Sequence, residues 1–187
     1  GERESMYLVS EFANSYYQNI LHKTDPGKAI GLSYFKERGF TDETIKKFQL
    51  GYSTDEWSGF TDAAVKKGYQ LKYLEKTGLT IVKEEKQFDR FKGRVMFPIH
   101  SMSGRVLGFG GRILAKNEKA AKYLNSPESD IYHKSKVLYG IYYAKQTIAK
   151  EDNCFLVEGY TDVIQFNQSG IENVVASSGT ALTPDQI

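Results

Sequence analysis

A single cysteine, Cys154, and three histidines among 187 residues exclude an internal disulfide and put a four-ligand structural zinc site out of reach. Proline is equally scarce, at four residues, so no proline-rich linker divides the chain. No apolar run approaches the roughly 20 residues that cross a bilayer, and the opening Gly1-Glu2-Arg3-Glu4 is not followed by a signal-peptide stretch. A cytosolic protein without membrane partners is expected. Neither charge sign dominates: the net charge is only +2, so overall electrostatics do not announce a polyanion partner. The chain also lacks an initiating methionine and ends just after a helix-start signal, which suggests a piece of a longer protein.

What is present is an ordinary globular balance, 40% hydrophobic and 26% charged, sufficient for one core or two small lobes sharing an interface. The fold class expected is α/β, an α+β lobe over 1–150 followed by a partial α/β domain with a parallel sheet over 151–187. Met6, Val9, Phe12, Tyr16, Tyr17 and Ile20 recur at helical spacing and predict a long amphipathic helix. Thr24-Asp25-Pro26 opens a second helix that closes at Arg38-Gly39, and Thr41-Asp42-Glu43 opens a short third one carrying Ile45 and Phe48. Short helices continue to about Gly78. Beyond Leu79, Val95 to Ile99 and Val106 to Phe109 flank the turn Ser101-Met102-Ser103-Gly104 and predict a β-hairpin, with Pro98 at an edge or a bulge. Near Asp152 the pattern changes again. Cys154 to Val157 predicts a strand buried on both faces, a helix runs through Gln168, and Val174-Val175-Ala176 supplies a second parallel strand. No internal repeat is visible.

Charge is distributed unevenly. Arg90, Lys92, Arg94, Arg105, Arg112, Lys116, Lys119, Lys122, Lys134 and Lys136 fall in the middle of the chain with few acids between them. They form either a polyanion groove or separate solvated faces. Gly108-Phe109-Gly110-Gly111-Arg112 lets a phosphate approach the backbone beside a guanidinium, and a glycine-rich bulge in the hairpin explains the same letters. Lys122-Tyr123-Leu124-Asn125-Ser126-Pro127 combines a cation, an aromatic face and amide donors suited to a stacked base and its phosphate, although a simple turn needs only Asn-Ser-Pro. Glu158 stands where the first parallel strand ends, and Asp162 lies four residues on, one helical turn away. Such a pair suits a hard cation such as Mg²⁺; alternatively, Glu158 caps the helix. His133 reads as a surface or packing residue.

Together these stretches resemble the catalytic core of bacterial DnaG-type replicative primases. The residues that carry the likeness are Tyr34 to Gly39, Asp89-Arg90-Phe91, Arg94 to Ile99, Gly104 to Arg112, Lys122 to Glu128, His133-Lys134, Leu138-Tyr139-Gly140, Val157-Glu158-Gly159-Tyr160-Thr161-Asp162-Val163 and Ala176 to Thr183. The resemblance implies a basic lobe joined to a Toprim domain, with a cleft that guides single-stranded DNA template and ribonucleoside triphosphates for RNA primer synthesis. By position, Glu158 is the Toprim glutamate, a metal ligand or acid/base, with Asp162 its catalytic companion; Mg²⁺ or Mn²⁺ is the implied cofactor. Arg90, Arg94, Arg112, Lys122, Tyr123, Asn125 and Lys134 fall where the family's groove meets template or nucleotide. The family's Asp-x-Asp metal motif is absent from these residues, so the piece alone is expected to be inactive. Its zinc module and its helicase-binding module would lie in separate regions, with a replicative helicase as partner at the replication fork. Ser178 departs from the apolar residue common in the family. Two other readings stay open: a Toprim primase of a phage or mobile element, and a non-catalytic single-strand binding module.

Overall fold

The computed structural model describes residues 1–115, 119–177 and 182–187. Lys116 of the basic run, and Ser178 to Ala181 of the last family-like stretch, lie outside the described residues. Among the described residues, no helix is long and apolar enough to cross a membrane.

The long predicted helix is α1 (Glu2–Lys23), and it buries Met6, Val9, Ala13, Tyr17 and Leu21 along one stripe. It stops at Thr24, whose backbone turns extended and whose hydroxyl accepts the Gly27 amide at 3.1 Å, so the next turn of helix is capped as the first one ends. A Cβ on Gly27 would meet the Ile20 carbonyl oxygen at 1.8 Å, so only glycine lets the chain fold back against α1. The second helix begins as a wide π turn over Gly27–Leu32 before settling into α2 (Ser33–Glu37), and Gly39 ends it at φ +85°. Thr41 Oγ1 then accepts the Thr44 amide and starts α3 (Asp42–Lys47).

After β1 (Gly51–Ser53) comes α4 (Gly59–Lys66), whose start is held from a distance. The buried Asp89 carboxylate accepts the Phe60 and Thr61 amides, both at 2.9 Å, and the Thr61 hydroxyl at 2.7 Å. It satisfies orphan helix-end donors that the local sequence leaves open. Helix α5 (Leu71–Lys76) leads into the hairpin β2 (Thr80–Lys83) and β3 (Lys86–Asp89). The expected hairpin follows as β4 (Arg94–His100) and β5 (Val106–Ile113), joined by β6 (Tyr123–Asn125) into an antiparallel sheet ordered β1-β4-β5-β6. Pro98 stands on a central strand, but β1 pairs only as far as Met96 and the register shifts at Ile99/His100. The missing amide therefore falls beyond the reach of β1 and beside a bulge.

The second half holds α6 (Ile141–Glu151), β7 (Phe155–Val157), α7 (Tyr160–Gln168) and β8 (Val174–Ala176), with β7 and β8 parallel as expected. Tyr139 exchanges backbone hydrogen bonds with Ala176, 2.7 and 3.1 Å, on the far side of β8. One expectation needs correcting. Phe155 and Leu156 are 52% and 48% exposed, so β7 is not buried on both faces. A strand is enclosed only when layers cover both its sides, and among the described residues β8 is its sole strand partner.

Among the described residues the two halves share a core. Phe35, Val95 and Phe97 from the first half join Tyr139, Tyr160, Val163, Ile164 and Ala176 in one buried cluster, while α1, α4 and α5 pack with Met96 and Phe109 in a second. The site is built over the first of these clusters.

Candidate functional site

Tyr123 and Asn125 on β6 face Glu158, Tyr160, Thr161 and Asp162 across a cavity of about 360 Å³. The βαβ path sets this up. Val157 ends β7, Gly159 takes the N-cap position in extended backbone, and α7 begins at Tyr160. Glu158 thus stands at the carboxyl end of a parallel strand and Asp162 in the first turn of the following helix, where ligands collect in open α/β sheets. Gly159 occupies the cap position and no side chain caps the first turn, so Glu158 stands one residue before the cap, where its charge also favours the positive helix end. Both carboxylates are exposed, and neither forms a salt bridge among the described residues. Two free oxygen donors on one cavity fit a hard divalent cation that completes its shell with water or phosphate oxygens. Among the described residues no group of three or more potential metal ligands gathers anywhere.

Tyr160 joins the two sides of the cavity, and the sequence reading gave it no role. Its hydroxyl donates to Asn125 Oδ1, its ring stacks on Phe97 at 5.4 Å and meets Tyr139 edge-on at 4.6 Å. A Cβ on Gly110 would lie 2.4 Å from that ring. The bulge expected of the glycine cluster falls at its start, where the register skips Leu107 between Val106 and Gly108. Gly108, Gly110 and Gly111 all pair in register with β4, and each clears room for a neighbour: Ser126 and Tyr132, Tyr160, and Phe91 with Arg94 respectively. The only signal available in the sequence was the alternation of glycines along a strand, which indicates close approach without saying by what.

The basic residues divide by burial. Arg94 is 5% exposed, and its Nη1 donates to the carbonyls of Gly111, Ala121 and Lys122 at 3.2, 2.9 and 3.3 Å. Arg90 donates twice to the Asn125 carbonyl, at 3.3 and 2.8 Å. Burial pulls both guanidinium pKa values below the usual arginine level, with Arg90 adding to the effect on Arg94. These two cations hold the approach to β6 and β6 itself in place. Lys122 is exposed immediately before Tyr123, which is 39% exposed. Arg112 lies opposite Tyr123 in the sheet register, with Nη1 on the Ile113 carbonyl at 2.7 Å. Lys134 sits apart in a single 3₁₀ turn, its amide on Glu128 and its carbonyl on Gln186, and does not line the cavity. The His133 ring makes an exposed contact with Glu128, in keeping with a surface residue.

Residues 16–145 match the family model described as the DNA primase catalytic core, N-terminal domain, and residues 152–187 match the Toprim domain. The DNA primase of Halalkalibacterium halodurans is 42% identical over 187 residues, covering 99% of this chain and 31% of that protein. The RNA polymerase domain of Mycobacterium tuberculosis primase DnaG superposes with a TM-score of 0.92 at 34% identity, over 98% of this chain and 59% of that one. A DnaG primase catalytic domain solved bound to single-stranded DNA gives a TM-score of 0.90 at 37% identity, over 99% of this chain and 57% of that one. The chain thus spans about a third of the length of the curated relatives it matches. A mixed sheet lobe running into a βαβ unit, with family matches on both, makes the chain a member of the DnaG-type DNA primase family, covering the N-terminal part of the catalytic core and the start of the Toprim domain.

Proposed function

We propose that this chain is the part of a primase that leads a single-stranded DNA template and ribonucleoside triphosphates to Glu158, for template-directed synthesis of short RNA primers in the cytoplasm. The observation that carries the reading is the shared cavity, where two unpaired carboxylates face an aromatic ring and an amide from the opposite lobe. In the reaction, a 3′-hydroxyl attacks the α-phosphate of the incoming nucleotide, an O–P bond forms, and pyrophosphate leaves. Tyr123 offers a ring for a base to stack on, and Lys122 and Arg112 offer cations to phosphate oxygens. Asn125 offers its amide N–H groups, held in orientation by the Tyr160 hydroxyl on its Oδ1. Lys134 serves the strand further from the cavity, while Arg90 and Arg94, which also shape β6, turn their remaining guanidinium donors to template or nucleotide.

Glu158, with Asp162 beside it, is the group that would hold Mg²⁺ or Mn²⁺, which when bound neutralises charge at the reacting phosphate. Two carboxylates are a thin set for such an ion, so the isolated chain is inactive in this reading. Residues 1–150 and 151–187 are the two functional lobes. Zinc and the replicative helicase belong to other regions of the full-length protein.

The test uses the full-length primase. RNA primer synthesis on a single-stranded template is measured with Mg²⁺ and with Mn²⁺ for wild type and Glu158→Gln. A loss of about 10²-fold or more is expected for a group acting on the reacting oxygens. Undiminished synthesis by the variant rejects the assignment.

A further inference from the structure

Thr41 caps α3, and its Oγ1 accepts the Thr44 amide. In a full capping box a Glu or Gln three residues on would return to the amide of the cap residue itself. Here that position holds Thr44, whose hydroxyl meets Thr41 Oγ1 at 3.0 Å instead. The Thr41 amide donates to Gln168 Oε1 at 2.9 Å, from a residue 127 positions further along the chain. The same side-chain amide donates through Nε2 to the Gly39 carbonyl at 2.9 Å, and Gln165 Nε2 donates to the Arg38 carbonyl at 3.0 Å. Gln165 and Gln168 thus fasten α7 to the turn between α2 and α3, joining the second half of the chain to the first. Lys47, the last residue of α3, adds a further tie with Nζ on Asn167 Oδ1 at 2.8 Å.

Both glutamines are exposed, so neither is needed to fill a core. Their placing along α7 is the informative part. Asp162, Gln165 and Gln168 follow one another at steps of three residues, so each lies one turn beyond the last on the same side of the helix. Asp162 and Gln165 also share an open recess of about 320 Å³ with Phe166 and Ser169. The other side of α7 buries Val163 and Ile164 in the shared core, but apolar burial is non-directional and does not by itself fix how a helix is rolled about its axis. Hydrogen bonds weaken steeply as they bend. The three that Gln165 and Gln168 make therefore set the roll of α7, and with it the direction in which Asp162 leaves the first turn.

We propose that Gln165 and Gln168 are positioning residues for primer synthesis: by clamping α7 to the turn between α2 and α3 they aim Asp162 at the cavity beside Glu158. The inference rests on the reading of Glu158 and Asp162 as the groups that hold a divalent cation, and extends it to two side chains that do not line the cavity. A ligand is effective only when its support fixes its direction.

Gln165→Met and Gln168→Met, combined in the full-length primase, remove the clamp while keeping side-chain length and helix preference. Gln168→Asn keeps the amide on a stem one methylene shorter, and Glu158→Gln serves as the reference. Binding of Mn²⁺ alone is followed by electron paramagnetic resonance, primer synthesis by steady-state kinetics and template affinity by fluorescence anisotropy, with circular dichroism to check the fold. The double variant is expected to bind Mn²⁺ roughly 3- to 10-fold more weakly and to lose roughly 10-fold in kcat, the order of effect of a slightly misplaced group. Template affinity stays as in wild type, and Gln168→Asn loses as much as Gln168→Met alone. Wild-type Mn²⁺ binding and kcat in the double variant, beside loss of both in Glu158→Gln, overturns the clamp and leaves the reading of the cavity standing. A fall in template affinity in proportion to kcat means that the glutamines only support the fold, which overturns it too. If Glu158→Gln itself binds Mn²⁺ and makes primers as wild type does, the cavity reading fails and the clamp has nothing to aim.

Discussion

The Tyr160 hydroxyl donates to Asn125 Oδ1, tying the first residue of the helix after Glu158 to the last residue of the strand that forms the opposite wall. The bond fixes which way the amide faces, so that its N–H donors point away from Tyr160. Tyr160→Phe keeps the ring that packs on Phe97 and Gly110 but frees the amide to rotate. Unfolding free energy is expected to fall by no more than the loss of one hydrogen bond, about 1 kcal/mol. The Michaelis constant for ribonucleotide or the affinity for template should weaken by more than that loss of stability explains. If primer synthesis and template binding by the full-length variant match wild type, Asn125 needs no orientation by Tyr160.

Gly110 gives a packing test at the wall of the cavity. Its neighbour Tyr160 is 5% exposed and is hemmed in by Phe97 and Tyr139, so the ring has little room to yield to a new methyl group at 2.4 Å. Gly110→Ala is expected to cost about 1–3 kcal/mol, the usual range for overpacking. Because the ring also carries the hydroxyl bonded to Asn125, template affinity should fall with it. Thermal denaturation checks the first effect and anisotropy the second. A variant with wild-type melting would show that the two lobes shift apart at small cost.

The contrast between Gly110 and Glu158 shows what the sequence made legible. Glu158 and Asp162 were placed correctly at one crevice because a strand end and a helix start are local patterns, and the βαβ order fixes where they converge. The hairpin, the early helices and their caps at Thr24 and Thr41 were legible for the same reason. Partners distant along the chain were not. Nothing near Phe60 indicates that Asp89 holds the start of α4, nor does the run at Gly108 name the rings it accommodates. An arginine's letter likewise does not tell whether its donors meet a phosphate or a carbonyl. That depends on burial, which separates Arg94 from Lys122 although both were read as groove residues.

That separation gives opposite expectations for two charge removals. Arg94→Met leaves three carbonyls without their buried donor and should destabilise the protein by about 2–3 kcal/mol. Lys122→Ala, on an exposed side chain, should leave unfolding within about 0.5 kcal/mol of wild type and flatten the salt dependence of DNA binding by about 0.7. Chemical denaturation and anisotropy titrations on the same pair of variants decide the matter. If Lys122→Ala unfolds early and keeps the wild-type slope, the two residues have been assigned the wrong way round.

His100 sets a pH limit on stability that has nothing to do with the cavity. It is 6% exposed, and its Nε2 lies 2.9 Å from Gln49 Oε1, which also accepts Asn14 Nδ2 at 2.7 Å. The amide oxygen can only accept, so the imidazole donates through Nε2 in its neutral form. Burial lowers its pKa to about 4 from an ordinary value of 6.5. A histidine with a depressed folded-state pKa binds fewer protons than the unfolded chain does between those two values, so stability is complete above about pH 6.5 and drains away as pH falls towards 4. The amount at stake is on the order of 3 kcal/mol. Carboxylates titrate in the lower part of the same window, so the useful quantity is the difference between wild type and His100→Gln, a side chain that does not ionise. Urea denaturation of both proteins from pH 7.5 to pH 4.5 is expected to show wild type losing more stability than the variant as pH falls. Parallel pH profiles would mean that His100 protonates in the folded protein without penalty, and that its place beneath Tyr142 and Tyr143 is open enough to admit water.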